Sequence, residues 1–226
     1  GKLHTMPPAG LFSLLHQLYR ERHDADILAY LYGFLCHYTL DSMTHPFILW
    51  KAKRLLKLNS NQPEAILHSE EETALEGILL RKETGNLPDG YPLAQVTLPK
   101  GALRTKLAGF YAQVLSRAFL HKGTETLCRQ AMRDYRLACR LLTDRSGCKK
   151  LLFQRIERGK AHRISSRLRG LLEDDGFDYA NVQEEMWILD GQKTIASFFT
   201  LYERAVPAAE ERICRFLGEQ DWHRFT

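Results

Sequence analysis

His37, Asp41 and His45 stand four residues apart in "HYTLDSMTHP", and His68 and Glu72 repeat that interval in "LHSEEETAL". On a helix, positions i and i+4 lie one above the other, so each set would form a line of imidazole and carboxylate down one face. The flanking residues are apolar, with Leu31, Phe34 and Leu35 ahead of the first line and Ile66, Leu67 and Leu75 around the second. A polar line in apolar surroundings is costly unless satisfied. Imidazole and carboxylate are ordinary zinc ligands, so coordination is one way to satisfy it. Hydrogen bonding in the core is the other, and the commoner one for a lone histidine.

The two lines together outweigh either one. Six of the nine histidines fall in the first 68 residues, where facing helices could build a bundle-core site from inward-projecting side chains. Pro46 disfavours helical geometry at His45, which puts that imidazole at a helix end, able to turn toward a centre other than the one served by His37, with Asp41 between them as a bridge. Gly33, four residues before His37, would admit a second helix or a ligand. His4, in "KLHTMPP", is a further candidate ahead of a proline that can open a helix. His16 and His23 lack a carboxylate rung and are expected at the surface. Glu70 and Glu71 are expected on the solvated flank, since only Glu72 falls under His68.

The elements that must position these residues are helices. Apolar residues recur at three- and four-residue spacing through 10–20, 26–45, 47–58, 62–82, 101–121, 124–143, 147–172 and 194–217, with period-two alternation nearly absent. The fold class expected is all-α, a multi-helix bundle in one domain spanning 1–226. Asn59-Ser60-Asn61 and the stretch "EDDGFD" around Gly176 break the pattern. The 84–101 loop, with three prolines and three glycines, is long enough to form a lid or a site wall.

At 226 residues and 44% hydrophobic content the chain can bury a substantial core. No apolar run approaches the roughly 20 residues needed to cross a bilayer. Five scattered cysteines, odd in number and without a CxxC pair, point to a reducing compartment or inert thiols, and no signal-peptide pattern opens these 226 residues, so a cytoplasmic rather than a secreted protein is expected. The net charge of +5 is unevenly placed. Residues 149–169 carry eight Lys or Arg against Glu157 alone. Such a run is a solvated helix face by default and otherwise a contact for phosphate, anionic lipid or nucleic acid.

"YGFLCHYTLDSMTHPFI" followed by "HSEEE" resembles the bacterial zinc-dependent phospholipase C family, whose helical fold is shared with single-strand-specific zinc nucleases. His37 and Asp41 match the HxxxD of that family, His45 its next histidine, His68 and Glu72 its HxxxE, and His4 its upstream histidine. "DYANVQEEMWILDGQKTIASFFTLYERA" is similar to its closing segment, so the resemblance runs from about residue 4 to about 206.

The resemblance implies a phospholipase C-like bundle with two or three zinc ions in its helical core. His45, His68 and Glu72 would hold one ion. His4, His37 and Asp41 would hold a second, with Asp41 bridging to a third. Asp41 and Glu72 are the implied catalytic residues. The departure is upstream of His4, where the family carries a further aspartate and an N-terminal ligand that these 226 residues lack. The expected activity is phosphodiester hydrolysis by metals about 3.5–4 Å apart that activate water, on a phosphodiester or phospholipid substrate. A single-strand nuclease is a second expectation. A metal-binding helical interaction protein with weak or no turnover is a third.

Overall fold

The computed structural model describes residues 6–58, 61–88, 91–93, 99–119, 124–169 and 176–218. Among these residues the chain is mostly helical, with seven α-helices and two short strands. In chain order they are α1 (Pro8–Arg20), α2 (Ala25–Leu58), α3 (Glu64–Thr84), α4 (Gly101–Phe119), α5 (Glu125–Leu142), α6 (Cys148–Ile156), β1 (Trp187–Leu189), β2 (Gln192–Thr194) and α7 (Phe198–Leu217). A 3-10 turn, Ser165–Arg167, lies between α6 and β1.

Local chemistry sets the helix ends. Pro8 opens α1, where its missing N–H costs nothing. The Asp24 carboxylate accepts the amides of Asp26 and Ile27 at 2.9 and 3.2 Å and starts α2. Thr124 does the same for Leu127 at 3.2 Å, and Ser197 for Thr200 at 3.2 Å. Gly85 closes α3 in the left-handed conformation, φ 70°, its N–H donating to the Arg81 carbonyl.

The chain divides into two compact units. One is drawn from Gly1–Ser42, Leu98–Tyr135 and Glu203–Thr226. Its core gathers Leu11, Phe12, Leu15 and Leu18 of α1 with Ile27, Leu31 and Leu35 of α2, Phe110 of α4 and Phe216 of α7. Tyr30 and Tyr111 share a hydrogen bond of 2.7 Å at its edge. The Lys106 ammonium joins Asp24 and Asp26, and Arg117 grips Glu21 with two bonds of 2.8 and 2.7 Å.

The other unit is drawn from Met43–Thr97 and Arg136–Tyr202. Phe47 sits at its centre, fully buried, with its ring edge on Trp187 at 5.5 Å and Trp50 stacked on Trp187 at 5.3 Å. A second small cluster joins Ala52, Leu55 and Leu67. The 3-10 turn packs against α3 and α6. Arg169 grips Glu76 of α3 at 2.7 Å.

Three expectations about elements are corrected. The segments expected at 26–45 and 47–58 are one helix, because α2 runs straight through Pro46. A mid-helix proline costs about 3 kcal/mol; here the burial of Phe47 and Ile48 directly beyond it offsets the loss. The helix expected over 147–172 ends at Ile156. Gly159 then takes φ 74°, and the buried Glu157 carboxylate turns back to accept the amides of Ile164 and Ser165 at 2.7 and 3.1 Å. Strands pair where none were expected: Trp187 faces Thr194 and Leu189 faces Gln192 across a two-residue turn, Asp190-Gly191, with φ 50° and 77°. Positive φ at both turn residues matches the right-handed twist of the strands.

Candidate metal centre

Three of the expected ligands come together in the second unit. His45 lies on α2, directly before Pro46 and two residues from the buried Phe47, which fixes the backbone that carries it. His68 and Glu72 lie one turn apart on α3, whose packing is set by the buried Ile66, Leu67 and Leu75. The His68 Nε2 and Glu72 Oε1 atoms are 3.1 Å apart, and the His45 and His68 ring centroids are 5.0 Å apart with an interplanar angle of 56°. His45 Nδ1 is buried and has no hydrogen-bond partner among the described residues. The His68 and Glu72 side chains are 21% and 47% exposed, so the pair opens to solvent on one side.

The separations can be compared with what a metal demands. Two imidazoles on one tetrahedral zinc, with nitrogens about 2.0–2.1 Å from the ion, set ring centroids about 5 Å apart and ligand atoms about 3.3 Å apart. The 5.0 Å ring separation lies in that range, while the 3.1 Å between His68 and Glu72 is that of a direct hydrogen bond as much as of two ligands on one ion. As the side chains stand, no three His, Cys, Asp or Glu groups among the described residues converge tightly enough to hold an ion. His45, His68 and Glu72 are thus neighbours in chemistry and position, the donor types a zinc site would use, without converging on one point.

His37 is exposed and Asp41 half-buried, both in the first unit, where Asp41 adds to the burial that pushes the Tyr38 phenol up. Gly33 is exposed too, and a side-chain carbon placed there would meet nothing within 4 Å, so no helix among the described residues makes the close approach expected at this glycine. His4 lies outside the described residues, as does much of the 84–101 loop expected to wall the site.

Two burial expectations are reversed. Glu71, expected on the solvated flank, is completely buried, while Glu72 is the exposed member of the pair. It stands on the line Leu67–Glu71–Leu75, four residues from each of two buried leucines, and that spacing is the signal that could have found it. His16, expected at the surface, is buried with its ring edge-on to Phe216 at 5.2 Å. Burial, and then the Arg20 charge, push its pKa below the usual histidine value.

A buried cation accompanies the buried acid. Lys51, one turn and a half beyond His45 on α2, is almost completely buried, and its ammonium donates to the Asp178 carbonyl at 2.6 Å while lying 4.7 Å from the Trp50 ring. Burial pushes its pKa below the usual lysine range, against the pull of the Asp178 and Glu71 carboxylates. All five cysteines are free thiols, Cys128 and Cys139 buried and the rest exposed. No helix among the described residues is long and apolar enough to cross a membrane. Comparison with family models, with characterised proteins and with solved structures finds no match to this chain.

Proposed function

We propose that the chain is a zinc-dependent phosphodiester hydrolase of phospholipase C-like type, with His45, His68 and Glu72 as its metal-holding set. The observation that carries the reading is the meeting of two imidazoles and a carboxylate on neighbouring helices, with a buried His45 Nδ1 that has no hydrogen-bond partner among the described residues. Two histidines and a glutamate leave a fourth position open on a tetrahedral ion. A bound ion supplies Lewis acidity toward a phosphoryl oxygen and brings the pKa of its water toward about 7.

The chain's own residues supply the rest. His68 and Glu72 present donors from adjacent turns of one helix, so their spacing is fixed by the helix rather than by a loop. Glu72, the most exposed of the three, faces solvent, so its carboxylate would hold an ion on the side from which water and substrate arrive. Asp41, His37 and His4 complete further ion positions in this reading, on the strength of the family resemblance alone. The substrate class is a phosphodiester, and in the phospholipase form a phospholipid.

The exposure of His37 favours one second reading, a helical protein that binds a single ion without turnover. The test is hydrolysis of bis(p-nitrophenyl) phosphate, and headgroup release from phosphatidylcholine, by zinc-loaded and chelator-stripped protein. Activity lost on stripping, restored by zinc and reduced on the order of a hundredfold in His68→Ala supports the hydrolase. Bound zinc with no turnover on either substrate supports the second reading, and activity indifferent to the chelator overturns both.

A further inference from the structure

The stretch 137–168 carries nine Lys or Arg and two acids, and both acids are withdrawn from the surface. Asp144 is fully buried and accepts the Lys150 amide at 2.8 Å. Glu157 is buried and accepts the amides of Ile164 and Ser165. The charge this stretch shows to solvent is therefore entirely positive, and no neighbouring carboxylate of the stretch offsets it.

Aliphatic side chains are exposed among these cations. On α6 they are Leu151, Leu152 and Ile156, 62, 56 and 59% exposed. At about 100° per residue they share an arc of roughly 160° with Lys149 and Arg155, so one face of the helix is both apolar and cationic. The opposite face, Phe153 and Gln154, is half-buried. Leu137 and Leu141, one turn apart on α5, are exposed as well. The Lys149 ammonium donates to the carbonyls of Leu141 and Thr143 at 3.2 and 2.7 Å, which ties the start of α6 to the end of α5.

From this arrangement we propose that α6 and the end of α5 form a docking surface for an anionic phospholipid membrane. Burying exposed leucines at a headgroup boundary while their arginine neighbours meet lipid phosphates is the chemistry of an interfacial helix. Single-stranded nucleic acid would also take the charge, but it stacks its bases on aromatic rings, and the exposed apolar residues of this face are aliphatic. The proposal does not depend on the metal-site reading, since it uses none of the same residues.

The test is flotation of the full chain with vesicles in the presence of a chelator, so that turnover plays no part. Vesicles of phosphatidylcholine alone are compared with vesicles of equal parts phosphatidylcholine and phosphatidylserine. The wild-type chain floats with the anionic vesicles only, and less so as salt is raised. Leu151→Ser with Leu152→Ser, and separately Arg155→Glu with Arg158→Glu, each lower the bound fraction at least tenfold without moving the thermal melt. Equal binding to both vesicles, binding to neither, or unchanged binding in both variants overturns the proposal. So does loss of a fluorescent single-stranded oligonucleotide by the variants while vesicle binding persists, which would assign the surface to nucleic acid.

Discussion

Glu157→Gln is the substitution whose effect can be worked most directly from the structure. The wild-type carboxylate is buried and takes two backbone N–H groups at 2.7 and 3.1 Å. Bonds to a charged acceptor contribute about 1.5–3 kcal/mol each, whereas a neutral one contributes about 1 kcal/mol. Gln keeps one carbonyl oxygen and turns an amide donor toward the second N–H, so two bonds at about 1.5–3 kcal/mol give way to one at about 1, a loss of about 2–5 kcal/mol. Burial pushes the Glu157 pKa up, but Ser165, the Ile164 amide and the His162 charge together bring it below the usual value of 4.5. A carboxyl lowered on folding stabilises fully above its unfolded pKa and loses that contribution as pH falls through the folded pKa. Urea unfolding followed by Trp50 and Trp187 fluorescence, both in the same unit as Glu157, reads the difference. The gap between wild type and variant should be full at pH 7 and narrow as pH drops below about 4.5. A gap under about 0.5 kcal/mol at pH 7, or one that is constant with pH, would refute the reasoning.

Three further outcomes follow from single contacts. Phe47→Ala removes a fully buried ring from among Trp50, Trp187 and Phe198 and should cost about 3–5 kcal/mol in urea unfolding. Gly85→Ala forces a Cβ into the left-handed end of α3 and should cost about 1 kcal/mol, measured as a lowered melting temperature. Arg117→Ala breaks a solvent-facing pair with Glu21 and should shift the urea midpoint only slightly, with the difference shrinking further in high salt.

Helical periodicity identified most of the fold because it depends only on which residues share a face. It does not say which face meets the core. His37 and Gly33 share a stripe that turned outward, and Glu71 rather than Glu72 lies on the inward line with Leu67 and Leu75. Pro46 read as a break because local geometry at a residue before proline disfavours the helix. The buried residues on either side of it override that preference. The hairpin was legible in "WILDGQKTI", where Asp-Gly stands between alternating residues, a turn signal stronger than the shortness of the strands suggests. Lys51 gave no sign of its burial, since a lysine amid Trp50, Ala52 and Leu55 reads equally well as a solvated one. The i, i+4 spacing of His68 and Glu72 was fully legible, and so was the pairing it produces. That His45 would sit beside them required the packing of α2 against α3, which no spacing rule supplies.

The measurement that bears most directly on the metal centre is zinc content by elemental mass spectrometry on the purified chain after zinc loading and dialysis, beside a His68→Ala, Glu72→Ala variant whose circular dichroism matches wild type. Bound zinc in the wild-type chain, at one ion or more and reduced in the variant by at least one, is the result expected of a centre built on His45, His68 and Glu72. Equal zinc in the two proteins, or none in either, would contradict it.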